Sequence, residues 1–136
     1  MHAWSIPLWY LWRPYVILRH GKGNRAMQKL SLDAKAREHL ERAAASSTGR
    51  SAETLYGGHE HALRQTLIAL RAGTTLSEHE NPGEATVLVL RGRVRLRSGE
   101  ESWEGMAGDL LLVPPARHSL EALEDAATLL TVVKAG

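Results

Sequence analysis

The sequence contains no cysteine. That absence excludes disulfides and thiolate metal sites, and it accords with a reducing compartment, so a cytoplasmic location is expected. No phosphate-binding glycine loop, no Ser/His/Asp order and no helix-turn-helix pattern stands out, which leaves the common nucleotide, acyl-transfer and DNA-reading signatures without support. A membrane span needs about 20 apolar residues, and the most apolar stretch is broken by Arg13 and Pro14 after little more than half of that. Acidic residues are missing from residues 1–26 altogether, where Arg13, Arg19, Lys22 and Arg25 stand alone. These basic residues follow the apolar stretch and do not precede it, which is the wrong order for a secretory signal.

Charge is therefore unevenly placed. The net charge of +2 belongs to the leader, because residues 27–136 hold 13 of the 17 basic residues against all 15 acids, a balance of −2. The whole-chain pI of about 9.2 is no argument for nucleic-acid binding. Residues 1–26 also hold Trp4, Trp9, Trp12, Tyr10 and Tyr15, most of the aromatic content. Such a segment reads either as a peripheral membrane anchor or as sequence upstream of a native start at Met27, and the second is expected.

From Ser31 the apolar period is helical, with Leu32, Ala36, Leu40 and Ala43 about four residues apart and Glu38 four before Arg42. Ser31 suits the N-cap, Asp33 the first turn, and the SSTG run at 46–49 the end. The apolar face is thin, so the helix is expected to cover a barrel or a subunit interface, with His39 solvated at its edge. After Gly49 short strand-forming runs follow near 51–56, 61–70, 74–78, 85–91, 93–98, 101–105, 109–113, 117–122 and 127–133, separated by Gly, Pro, Asn and Ser. Connections this short require antiparallel pairing.

In RVRLRSGEESWE, Arg93, Arg95 and Arg97 alternate with Val94 and Leu96. A two-residue turn at Ser98-Gly99 would set Arg97 opposite Glu100, Val94 opposite Trp103 and Arg93 opposite Glu104. The arginine stripe reads as a solvated outer face neutralised by the next strand, with a DNA-associated regulator as the weaker alternative, since no aromatic platform accompanies it.

Two stretches carry the candidate chemistry: GTTLSEHENPGEATVLVLRG at 73–92 and GDLLLVPPARHSLEA at 108–122. In the first, Gly73, His79, Pro82 and the closing VLVLRG are spaced as in one motif of the cupin superfamily. In the second, Gly108, Asp109, Pro114, Pro115 and His118 resemble the other motif, with Ala116 at the usual glycine and the turn one residue shorter. Residues 50–133 thus resemble one small single-domain bacterial cupin. The resemblance implies an all-β fold, a single small cupin-type antiparallel β-barrel (jelly roll) preceded by one N-terminal α-helix. The division is then a leader over 1–26 of doubtful nativeness, a helix over 27–49 and a barrel over 50–136.

The same resemblance implies a metal held by two histidines and a glutamate of the first motif and the histidine of the second. Here His79 and His118 match, but Asn81 stands at the second histidine and Ala85 at the glutamate. Glu84 is one residue away, on the opposite face of an ordinary strand. A catalytic zinc usually keeps three protein ligands, and a non-haem iron needs two histidines and a carboxylate. His59 and His61 are further candidate ligands, and Gln65 follows on the next strand. The expected ligand pocket is therefore His79, Asn81, His118 and Gln65. The function expected first is binding of a small organic ligand in a sensing or regulatory role, by a homodimer whose thin helix face seeks a partner surface. The alternative is a metal-dependent oxygenase, isomerase or decarboxylase with one divalent ion (Fe, Mn, Ni or Zn) on His79 and His118, helped by His59, His61 or Glu84. Whether the chain is an enzyme stays open at this point. For the leader the expectation is direct: amino-terminal sequencing of the protein from its native host should begin at Met27, and an abundant peptide from residues 1–26 would refute it.

Overall fold

The computed structural model describes residues 27–58, 60–79 and 83–134 and the pair Ile6–Pro7, with Glu78 and His79 described through their backbone. Among the described residues ten strands and one helix follow in chain order: β1 (Ile6–Pro7), α1 (Leu32–Ala45), β2 (Arg50–Tyr56), β3 (Leu63–Leu70), β4 (Thr75–His79), β5 (Gly83–Arg91), β6 (Arg93–Ser98), β7 (Glu101–Met106), β8 (Leu110–Val113), β9 (His118–Ala122) and β10 (Ala126–Lys134). They form two five-stranded sheets, ordered β1-β4-β9-β6-β7 and β2-β3-β10-β5-β8. Every pairing is antiparallel except that of β1 with β4. No helix among the described residues is long and apolar enough to cross a membrane.

The core lies between the sheets. Ile68, Leu70, Val87, Val89, Leu111, Leu130 and Val132 from one sheet pack on Leu76, Val94, Leu96, Leu120 and Ala122 from the other. Alternation along each strand decides membership. The run LIAL in β3 escapes alternation because both of its faces are covered: Ile68 and Leu70 enter the core, while Leu67 and Ala69 lie beneath α1, which packs on β2, β3 and β10.

Ser31 caps α1 as expected, its Oγ accepting the Ala34 amide at 3.1 Å. At the other end Arg71 donates through Nη1 to the carbonyls of Ala44 (3.3 Å) and Ser46 (3.0 Å), supplying donors for carbonyls the helix leaves unsatisfied. The buried stripe is Ala36, His39 and Ala43, with Leu32 and Leu40 half-buried beside it. His39 is therefore not solvated. It is only 1% exposed, with Nδ1 2.7 Å from Ser51 Oγ and Nε2 2.8 Å from Glu53 Oε1, because Ser51 and Glu53 project from the outer face of β2 beneath it.

The β6–β7 hairpin differs from the expected register. Its turn is Gly99-Glu100 and not Ser98-Gly99, so Leu96 faces Trp103, Arg95 faces Glu104 and Arg97 faces Ser102. Gly99, at φ +61°, occupies the first central position, as a type II′ turn requires. The two-residue shift preserves which side chains share a face. Glu104 is consequently within reach of both Arg93 (3.6 Å) and Arg95 (3.3 Å), while Glu124 and Glu121 approach the same two arginines at 3.6 and 3.5 Å. Acids from both sides thus pair with Arg93 and Arg95 on this face.

Two predictions follow from these contacts. Gly92 joins β5 to β6 at φ +78°, and a Cβ there would stand 2.0 Å from the Asp125 carbonyl oxygen. Gly92→Ala should cost about 3 kcal/mol or more by denaturant unfolding, and near-wild-type stability would contradict this packing. Burial alone would push the Glu53 carboxyl up, but hydrogen bonds from His39 and Lys35 outweigh it and hold it below its ordinary 4.5. A depressed folded-state value stabilises above the unfolded one and is lost as pH falls through the folded one. Glu53→Gln should then cost about 1 kcal/mol near neutrality, with the gap to wild type closing below about pH 4.5 in thermal melts. A gap that stays constant into strong acid would rule out this role.

Candidate ligand site at the His118 end of the barrel

The antiparallel ladders place one continuous row at one end of the barrel: Arg64 beside Val132, Val132 beside Ala85, and Ala85 beside Val113. The row faces inward, since Val132 is a core residue and Ala85 and Val113 pack against the core. Arg64 belongs to the same inner set as Thr66, Ile68 and Leu70 and is 4% exposed. The next row inward pairs Thr54 with Thr66, Thr66 with Leu130 and Leu130 with Val87.

The chain leaves this row at Val113, turns through Pro114 to Arg117, and enters β9 at His118 in the other sheet. His118 is 3% exposed, and its Nδ1 lies 2.9 Å from the carbonyl oxygen of Ala116. A carbonyl only accepts, so Nδ1 carries the proton and the neutral ring keeps its lone pair on Nε2. That nitrogen can receive a hydrogen bond or ligate a metal. Across the β4–β9 ladder His79 pairs with His118, after an irregularity in register between Leu76 and His79. The backbone thus sets the two motif histidines opposite each other on neighbouring strands.

The other expected site residues are dispersed. Gln65 lies on the outer face of its sheet, one residue from the inward Arg64 and Thr66, and donates through Nε2 to Thr131 Oγ1 at 3.2 Å. Glu84 is exposed and lines a groove of about 410 Å³ together with Ala85, Thr86, Leu112, Val113, Thr131 and Val133. His61 is exposed and stacks on Tyr56, with ring centroids 5.0 Å apart and planes 23° apart. Asn81 and His59 lie outside the described residues, as does the motif proline Pro82. Among the described residues no three His, Cys, Asp or Glu side chains form a cluster able to hold a metal ion.

Sequence reasoning missed that Arg64 is buried on the inner face of its sheet. Its signal was available: in LRQTLIAL the inward parity set by Ile68 and Leu70 runs back through Thr66 to Arg64, a charge in an otherwise core-facing series. At the level where the family pattern has a glutamate stands a methyl group, Ala85, so that among the described side chains His118 is the one that keeps a ligating atom at a family ligand position.

A model of the Cupin domain matches residues 66–134. This chain belongs to the cupin family. Solved structures agree on the fold. A conserved protein of unknown function from Streptococcus pyogenes is 28% identical with a TM-score of 0.59, covering 64% of this chain and 75% of its own. A cupin superfamily protein from Desulfitobacterium hafniense is 18% identical with a TM-score of 0.59, covering 63% and 78%. A search of curated proteins finds no match.

Proposed function

We propose that this cupin-domain protein binds a small organic ligand between its sheets at the His118 end of the barrel, in a sensing or regulatory role. The observation that carries the reading is the inner row itself. The row is apolar through Val132, Ala85 and Val113, and the turn after Val113 brings in the buried His118 of the other sheet, an apolar wall with a polar group at its end, as in a small-molecule pocket.

One observation favours the enzyme alternative. The Nδ1 bond of His118 to a carbonyl is the arrangement a metal-ligating histidine uses, and His79 is its ladder partner. The two readings separate on metal content. Untagged protein purified without chelator should carry iron, manganese, nickel and zinc well below one equivalent, and chelator should leave its melting temperature unchanged. Stoichiometric metal that disappears in a His79→Ala/His118→Ala double variant would establish the metal-dependent reading instead.

The homodimer belongs to the same proposal, with different support from that expected. The thin helix face is covered by β2, β3 and β10 of its own chain, whereas Leu110, Leu112 and Val133 remain exposed on the outer face around the groove. Light scattering at micromolar concentration should give a dimer that Leu112→Glu dissociates; a monomeric wild type would overturn this.

A further inference from the structure

We infer that the outer edge of β4 is a strand-acceptor surface, and that its occupant is this chain's own amino-terminal segment, docked through Ile6 and Pro7. The assignment is independent of the ligand reading. An edge strand presents unpaired N–H and C=O groups, and an extended segment laid along it pairs with them. β4 would end its sheet but for β1, whose two residues run parallel to it with Ile6 opposite Leu76 and Pro7 opposite Ser77.

Strand parity identifies the groups involved. The Thr74 carbonyl accepts the Ala122 amide at 2.9 Å and so points toward β9. Alternation then turns the N–H and C=O of Thr75 and Ser77 to the opposite side, the outer edge, while Leu76 faces its partner Leu120. A parallel ladder around Ile6 can follow two hydrogen-bond patterns. One requires an N–H on Pro7, which proline lacks. In the other, Ile6 N–H donates to the Thr75 carbonyl and Ser77 N–H donates to the Ile6 carbonyl, and these are the groups that the edge of β4 presents. Proline chemistry in one strand and parity in the other therefore select the same pattern. The same pattern turns Pro7 away from β4, so the new edge lacks a donor there and is blunted against further pairing. β1 closes the sheet. Leu76 is fully buried, and β4 leads to His79, the ladder partner of His118, so the docked segment braces the strand that delivers one of the two motif histidines. A chain begun at Met27 would leave Thr75 and Ser77 bare, and the docked segment thus replaces the expectation of a start there.

The chain has no cysteine, so an introduced pair reports without background. Facing residues on paired strands fall within the Cα separation of about 4.4–6.8 Å that a disulfide spans. In the full chain, Pro7→Cys/Ser77→Cys should oxidise to a disulfide within one chain, read by non-reducing electrophoresis and mass spectrometry. Pro7→Cys/Ser102→Cys, with its second cysteine on β7 at the other edge of the sheet, should stay reduced. By amide hydrogen exchange, Ser77 in the wild-type chain should exchange at least about tenfold more slowly than in Ile6→Pro, which removes the donor to Thr75, and Ile6→Val should match wild type. Failure of the 7–77 disulfide, equal oxidation of the two pairs, or unchanged Ser77 exchange in Ile6→Pro would overturn the inference. A disulfide between two chains would give the edge to a second copy and overturn the assignment to the chain's own segment, as would protein from the native host that begins at Met27. Should Ile6→Pro fail to fold, Ser77 exchange at the free-peptide rate in wild type would still refute the docking.

Discussion

The double pairing of β10 is the constraint on which the rest of the molecule depends. Its nine residues are hydrogen-bonded to β3 on one side and to β5 on the other, so a single parity choice propagates across four strands to β8. That choice sends Arg64, Val132, Ala85 and Val113 inward and sends Gln65, Val133, Glu84 and Leu112 outward. A slip by one residue would exchange the two sets, burying Glu84 and expelling Ile68, Val87 and Leu130 from the core. The hydrophobic cost of that exchange, at about 1.5 to 3 kcal/mol for each large aliphatic side chain, holds the register. The composition of the site is thus set by core packing at a distance from it.

Much of this was legible in sequence, and the parts that were not have identifiable causes. The nine strands after Gly49 and the helix start at Ser31 could be read because alternation, turn residues and a capping serine are local signals. The opposite-face placement of Glu84 followed from strand periodicity alone. Gln65 was misplaced because the expected pocket was assembled from polar residues near the histidines, without carrying the parity of Ile68 and Leu70 back along the strand to Arg64. His39 was read as solvated because burial of a histidine depends on what the opposing surface offers, and Ser51 and Glu53 become its partners only when α1 docks. The hairpin register was out by two residues because Ser98-Gly99 and Gly99-Glu100 both place the glycine in a two-residue turn, and only the ladder chooses between them.

Skeleton and ligand positions of the cupin motif answer to different physics, and this chain separates them. At Gly92 the requirement is backbone contact: any side chain would meet the Asp125 carbonyl oxygen at 2.0 Å, whatever the barrel binds. At position 85 no such requirement exists, since alanine satisfies the inner row as well as a glutamate would and with less desolvation. A glycine that matches the motif therefore testifies to the path of the chain, and a residue at a ligand position testifies to the contents of the barrel. Where the two kinds of position disagree, as they do here, architecture should be inferred from the first and chemistry from the second.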